Sequence, residues 1–238
     1  MRLAPAWLRR VARSRHAERL VLRGSLLTAQ WAPGRPAADV DHLAVPDATV
    51  AEAEAIAREI LAEPDPEPLP DATFEVIWAE TPWPGLRVRV GDLQIDVGSG
   101  DPLAAPPVPV EVLGVTLPAA RPETMFAWKV HGLVELGPGR WHAKTLFDIL
   151  LIDEHVTLDE ELLVPSLALA FSSRGNDLAE LDRFLTPGAW GTSRSSRRRW
   201  EKFQETYRGP HPVPPLADVV RAVGDRVRPL ASRARGAR

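Results

Sequence analysis

The 238-residue sequence contains no cysteine. That excludes a disulfide framework, a thiolate metal site and a cysteine nucleophile, and it fits a reducing compartment. Long apolar runs are missing too. No stretch approaches the roughly 20 residues that a membrane-crossing helix needs. The opening MRLAPAWLRRVARSRHAERL carries arginines but no apolar core of signal-peptide length. No internal repeat stands out. What remains is ordinary for a globular protein: 45% hydrophobic and 26% charged residues, with enough chain to bury a core in one large domain or two small ones. The expectation is a soluble, cytoplasmic protein without membrane contact.

Charge is unevenly placed. The formal net charge is only -3, but acidic residues dominate 39–101. Basic residues gather at both ends: Arg2, Arg9, Arg10, Arg13, Arg15, Arg19 and Arg23 early, Arg194, Arg197, Arg198, Arg199, Lys202 and Arg208 late. This asymmetry leans toward a polyanionic partner, with solvated helix faces as the plain alternative.

Periodicity separates an α/β front half, about 1–120, from a helical back half. Residues 5–20 read as a helix, and LVLRGS as a short strand running into a Gly-Ser turn. LLTAQWA starts a helix that Pro33-Gly34 stops, and ADVDHLAV alternates as a strand. ATVAEAEAIAREILAE is the clearest amphipathic helix, with Val50, Ala53, Ile56, Ala57 and Ile60 on one face. TFEVIWAE, LRVRV and LQIDV alternate as strands, and Gly91-Asp92 signals a hairpin between the last two. Residues 98–118 hold too much proline for interior strands and read as loop with one edge strand. Helices follow at 123–136, 143–154, 159–171, 176–185 and 193–207. LADVVRAVGDRV makes one more, before a basic end expected to be disordered.

Two carboxylates one residue apart carry the chemistry. On a strand Asp39 and Asp41 share a face, with Cα atoms about 7 Å apart, so both reach one small ion. Asp96 stands opposite the apolar face of LQIDV formed by Leu93, Ile95 and Val97. If the two strands are neighbours, three carboxylates converge on one patch. Oxygen ligands of this kind suit Mg²⁺ or Mn²⁺, and two such ions assist phosphoryl displacement. The Gly24-Ser25 turn ahead of a helix supplies backbone N–H groups and a hydroxyl for phosphate.

In that order (Gly-Ser turn, helix, Asp-x-Asp strand, hairpin, third aspartate) the chain resembles the AbiEii/AbiGii toxin family of nucleotidyltransferases, within the polymerase-β-like superfamily. The resemblance covers about residues 15–205. It is carried by RGS, GRPAADVDHL, IDVGSGD and PETMFAWKVHGLVELGPGRWHAKTLFDILLI, which align Gly24, Ser25, Arg35, Pro36, Asp39, Asp41, Asp96, Lys129, Lys144 and Asp148. It departs at Ala37 for threonine, His42 for a plain apolar residue, Trp128 for glutamate and Thr145 for aspartate.

The resemblance implies an α/β fold, a nucleotidyltransferase-type mixed sheet flanked by helices over 1–120. A helical domain over 121–208 would complete the active site, and a C-terminal helix with a basic, flexible tail would fill 209–238. It implies transfer of a nucleoside monophosphate from an NTP to a hydroxyl, by the toxin of a toxin–antitoxin or phage-defence system. Asp39, Asp41 and Asp96 would hold the metal, and Gly24 and Ser25 the β and γ phosphates. Lys129 would neutralise the triphosphate, Asp148 would hold a lysine or a substrate hydroxyl, and Arg35 and Lys144 would bind substrate. Kinship suggests an acceptor at the 3′ end of tRNA, and an antitoxin partner. Alternatives are a catalytically silent relative that binds nucleotide or a partner protein, and an enzyme that modifies a small molecule such as an antibiotic.

Without the resemblance, Lys144 and Asp148 are a surface pair four residues apart on a helix. The eight tryptophans, Trp78, Trp128, Trp141 and Trp200 among them, read as packing residues rather than base-stacking platforms. His131, His142 and His155 have no metal-ligand spacing. Arg197–Arg199 beside Trp200 offer contacts to an RNA backbone, with a solvated helix start as the equal alternative.

Overall fold

The computed structural model describes the whole chain except Pro33, Arg35, Leu136, Pro187, Ala237 and Arg238. It divides into two compact units. One comprises Met1–Gln30, Pro36–Asp101 and Pro106–Ala120; the other comprises the described residues of Trp31–Arg35, Pro102–Ala105 and Arg121–Arg238.

The first unit is built on a mixed seven-stranded sheet. Its strands are β1 (Leu20–Arg23), β2 (Asp39–Ala44), β3 (Ala72–Ile77), β4 (Gly85–Val90), β5 (Leu93–Gly98), β6 (Val108–Val112) and β7 (Val115–Ala119), in the order β3-β4-β5-β2-β1-β7-β6. Helices α1 (Ala4–Arg13), α2 (Gly24–Trp31) and α3 (Val50–Ala62) accompany it. Alternation gives the sheet two unlike faces. Leu20, Leu22, Val40, Leu86, Val88, Val90, Leu93, Ile95 and Val97 are buried on one, against which α1 and α3 pack. Asp39, Asp41, Arg87 and Asp96 occupy the other. α3 begins with a full capping box, Thr49 and Glu52 satisfying each other's backbone N–H, and buries Ala53, Ile56, Ala57 and Ile60.

His42 explains its own departure from an apolar residue. It is fully buried on the apolar face, and the Trp7 indole donates to its Nε2 at 3.1 Å. Burial pushes its pKa down to about 4, against a smaller opposing effect of the Leu20 carbonyl. Below pH 6.5 the unfolded chain therefore takes up a proton that the folded chain refuses. Stability from this residue is intact above 6.5 and falls as the pH drops toward 4, by about 3 kcal/mol in total. His42→Gln keeps an acceptor for Trp7 and removes the titration. Urea unfolding at pH 7 and pH 4.5 should show a shallower loss for the variant than for the wild type.

Three sequence expectations are corrected in this unit. The first helix ends at Arg13, not at residue 20, because the chain turns extended at Ser14 on its way to β1. Residues 98–118 hold a two-stranded hairpin rather than a single edge strand, turning at Leu113 and Gly114, both with positive φ. Pro118 is tolerated in β7 because that strand meets β1 only near Ala119. The early arginines do not form a free basic face. Arg9 grips Asp65 with two hydrogen bonds of 2.9 and 2.7 Å and Arg13 adds one of 2.8 Å, while buried Arg10 donates to the carbonyls of Ala6, Glu63 and Glu67. Arg9 and Arg13 hold the Asp65 carboxyl well below the usual range. Arg15 pairs with Glu59 and Arg23 with Asp101. The basic charge at the start of the chain is thus largely consumed inside the unit.

The second unit is helical: α4 (Pro122–His131), α5 (Ala143–His155), α6 (Glu160–Ser172), α7 (Glu180–Leu185), α8 (Arg194–Thr206) and α9 (Leu216–Gly236). Its core gathers Phe126, Trp141, Phe147, Phe171, Phe184 and Trp200. The tail expected to be disordered beyond residue 227 is helix through Gly236, because Leu230, Ala231 and Ala234 continue the buried stripe of Val219, Val223 and Val227 past Pro229. Arg226 binds Asp153 and Glu160, and Arg233 binds Glu160, fastening this helix to α5 and α6. Among the described residues no helix is long and apolar enough to cross a membrane.

Candidate active site

β1 ends at Arg23 and the chain turns at Gly24 into α2. Gly24 has φ +77, and a Cβ placed on it would lie 1.8 Å from Oδ2 of Asp41. Only glycine lets the carboxylate rest against this turn. Ser25 donates from Oγ to Oδ1 of Asp39 at 2.9 Å, and Thr28 Oγ1 returns to the Gly24 carbonyl at 3.0 Å. The Gly-Ser turn and the Asp-x-Asp strand, 14 residues apart at Ser25 and Asp39, are therefore one local construction.

β2 and β5 run parallel with Asp41 directly opposite Asp96 and Asp39 opposite Gln94. All three aspartates lie on the polar face, Asp96 buried and the other two half-buried. Asp96 has a second cross-strand neighbour. Arg87 on β4 donates from Nε and Nη2 to its two oxygens, each at 2.8 Å, and Gln94 Nε2 adds a bond of 3.2 Å to Oδ2. Asp96 foremost raises the Arg87 pKa, with Glu75 and Asp39 contributing through charge alone. The sequence reading missed Arg87. The signal was present: a two-residue hairpin at Gly91-Asp92 pairs Val90 with Leu93, and counting outward places Arg87 against Asp96.

Fit to a divalent ion follows from this donor set. Among the described residues no three acidic or histidine side chains are gathered closely enough to hold one. The three carboxylates stand on two adjacent strands without closing into the expected cage, and the oxygens of Asp96 are engaged by Arg87. Hard oxygen donors from Asp39 and Asp41 still match Mg²⁺ or Mn²⁺, since Mg²⁺ typically takes one or two carboxylates and completes its shell with water and substrate phosphate.

The IDVGSGD segment has structural work beyond Asp96. Ser99 Oγ accepts from the Ala48 N–H at 3.1 Å and donates to its carbonyl at 2.9 Å, and the Gly100 N–H donates to Asp47 at 2.8 Å. Asp101 pairs with Arg23, the residue before the Gly-Ser turn.

In the helical unit, Lys129 of α4 donates to Asp148 of α5 at 2.8 Å, both side chains largely buried. The sequence pairing of Asp148 with Lys144 is not what forms; Lys144 points outward and is exposed. Glu123 is buried and accepts the Asp159 N–H at 2.9 Å, tying the start of α4 to the start of α6. Arg35 lies outside the described residues. Trp141 and Trp200 are core residues, as read from the sequence; the Trp200 indole donates to the Pro214 carbonyl at 2.9 Å.

The model of a family described as nucleotidyl transferase AbiEii toxin, type IV toxin–antitoxin system, matches residues 6–222. The chain belongs to that family. As an AbiEii-family chain it is a nucleotidyl transferase and the toxin side of a toxin–antitoxin pair. The mixed sheet with flanking helices followed by a helical unit is the fold expected from the resemblance. No curated protein matches the chain.

Proposed function

We propose that this AbiEii-family enzyme moves a nucleoside monophosphate from an NTP to a hydroxyl of RNA. The acceptor oxygen forms a bond to the α-phosphorus, the bond to the bridging oxygen breaks, and pyrophosphate leaves. The observation that carries the reading is the row of Asp39, Asp41 and Asp96 on one sheet face, with the Gly24-Ser25 turn pressed against it.

Gly24 and Ser25 open α2 and offer backbone N–H groups to the β and γ phosphates. Asp39 and Asp41, with Asp96 where Arg87 yields it, would hold Mg²⁺ or Mn²⁺. Such an ion supplies charge neutralisation and Lewis acidity to phosphoryl transfer. A carboxylate of the row accepts the proton of the acceptor hydroxyl. Lys129, kept in place by Asp148, is assigned to the triphosphate, and Arg35 and Lys144 to further contacts with substrate. Positioning and charge stabilisation then account for the rate.

The RNA acceptor is supported by α8. Arg194, Arg197, Arg198 and Lys202 are exposed there and, among the described residues, have no carboxylate partner. The 3′ end of tRNA is the acceptor that kinship favours. NTP and RNA substrates place the reaction in the cytoplasm, where a cognate antitoxin restrains it. The Arg87 clamp on Asp96 favours one rival, a relative that binds nucleotide without chemistry.

The test supplies Mg²⁺ and each α-labelled NTP, with total tRNA in one arm and a panel of small hydroxylated molecules in the other. Label in RNA, abolished by EDTA, is the expected result. Label only on small molecules overturns the acceptor assignment, and NTP binding without label supports the silent relative.

A further inference from the structure

We infer that Trp78 is the platform on which the base of the bound nucleotide stacks. The inference rests on the proposed NTP substrate and adds a second binding element to the same sheet face. Trp78 follows β3 with φ +56, a conformation that a bulky L-residue rarely adopts and that persists where surroundings enforce it. Its ring sits in a seat made of two glycines. A Cβ on Gly85 would lie 2.9 Å from Cε3 and Cζ3 of the indole, and a Cβ on Gly98 would lie 3.5 Å from Cζ3. Any other residue at Gly85 would push the ring away.

The seat is on the acidic face. Gly98 stands two residues after Asp96 on β5, and Gly85 two residues before Arg87 on β4, so both share the side of the sheet that carries the Asp96–Arg87 pair. One such step along a strand is about 7 Å. Across Gly98 the other neighbour is Arg23, whose Nη2 would be 3.7 Å from the same Cβ, and Arg23 leads directly into Gly24. The indole thus stands one such step along the sheet from the Asp96–Arg87 pair and near the side chain of Arg23, the residue that leads into the phosphate turn.

The turn that presents the ring is internally fixed. Thr81 donates to the Trp78 carbonyl through its N–H at 2.9 Å and its hydroxyl at 2.8 Å, and the Trp83 N–H donates to that hydroxyl at 3.2 Å. Trp83 itself lies against Gly100. Trp78 nonetheless remains 46% exposed, while Trp7, Trp141 and Trp200 are fully buried. A rigid aromatic ring backed by the sheet and open to solvent suits a planar heterocycle, and stacking accepts any base because each has a π-face. The sequence reading took Trp78 as a packing residue rather than a base-stacking platform; its exposure departs from that reading, and the inference reverses it.

Calorimetric titration with Mg²⁺ present separates base from phosphate. ATP, CTP, GTP, UTP and inorganic tripolyphosphate are each titrated into the wild type, Trp78→Leu and Trp78→Phe, with melting curves as the folding control. Trp78→Leu should weaken binding of the preferred NTP about tenfold or more and leave tripolyphosphate unchanged, while Trp78→Phe stays close to wild type. Equal NTP affinity in wild type and Trp78→Leu overturns the inference, as does parallel loss of NTP and tripolyphosphate. A shift confined to RNA binding also overturns it. Failure of the wild type to bind any NTP would instead overturn the proposed function beneath it.

Discussion

Gly24→Ala is expected to lower nucleotidyl transfer by about 100-fold or more, the scale on which a displacement of roughly 1 Å acts in an active site. The added Cβ would fall 1.8 Å from Oδ2, 2.5 Å from Cγ and 2.7 Å from Cβ of Asp41. Because the overlap reaches the Asp41 Cβ as well as its oxygen, the carboxylate or the turn must leave its place beside Asp96. Backbone strain alone gives a different outcome, and the chain contains the control. Gly114 has the same φ of +77 and nothing within 4 Å of its ideal Cβ. Gly114→Ala should therefore lose a comparable 1–2 kcal/mol, roughly, of stability from the left-handed backbone and keep full activity. Steady-state transfer rates and melting temperatures of both variants check the pair.

Arg87→Leu is the second large effect, and it falls on stability. Removing the guanidinium leaves Asp96 buried beside Asp41 without its bidentate partner. Breaking one side of a buried ion pair costs about 3 kcal/mol or more. Like charge from Asp41 directly opposite adds to the penalty. A divalent cation offered to the released carboxylates should recover part of it. Mg²⁺ at millimolar concentration is expected to raise the melting temperature of Arg87→Leu by more than it raises that of the wild type. Equal shifts would mean that Asp96 has no part in ion binding.

Much of the site could be read before any coordinates because it is local in sequence. Gly24, Ser25, Asp39 and Asp41 lie within one strand–turn–helix–strand segment, and alternation alone puts Asp39 and Asp41 on one face. Arg87 needed one further step, since its role depends on register, which the Gly91-Asp92 hairpin sets. The early arginines misled because their partners, Glu59 and Asp65, are more than 40 residues away, and composition does not show pairing at that distance. His42 looked like a defect in an apolar strand until Trp7 supplied its hydrogen bond. The β6–β7 hairpin was hidden by its prolines and by Leu113, a residue with no preference for positive φ. Trp78 read as a packing residue for a related reason: the seat that receives its ring is made by Gly85 and Gly98, on strands 7 and 20 positions later.

The central claim is that the carboxylates of the Asp39–Asp41–Asp96 row perform the transfer, and Asp41→Asn tests it most directly. Asparagine preserves the shape and relieves like-charge crowding against Asp96, so the variant should melt at or above the wild-type temperature. Initial rates of label transfer from an α-labelled NTP to RNA, measured in Mg²⁺ for both proteins, should differ by roughly 1,000-fold. An Asp41→Asn enzyme that labels RNA as fast as the wild type would contradict the account.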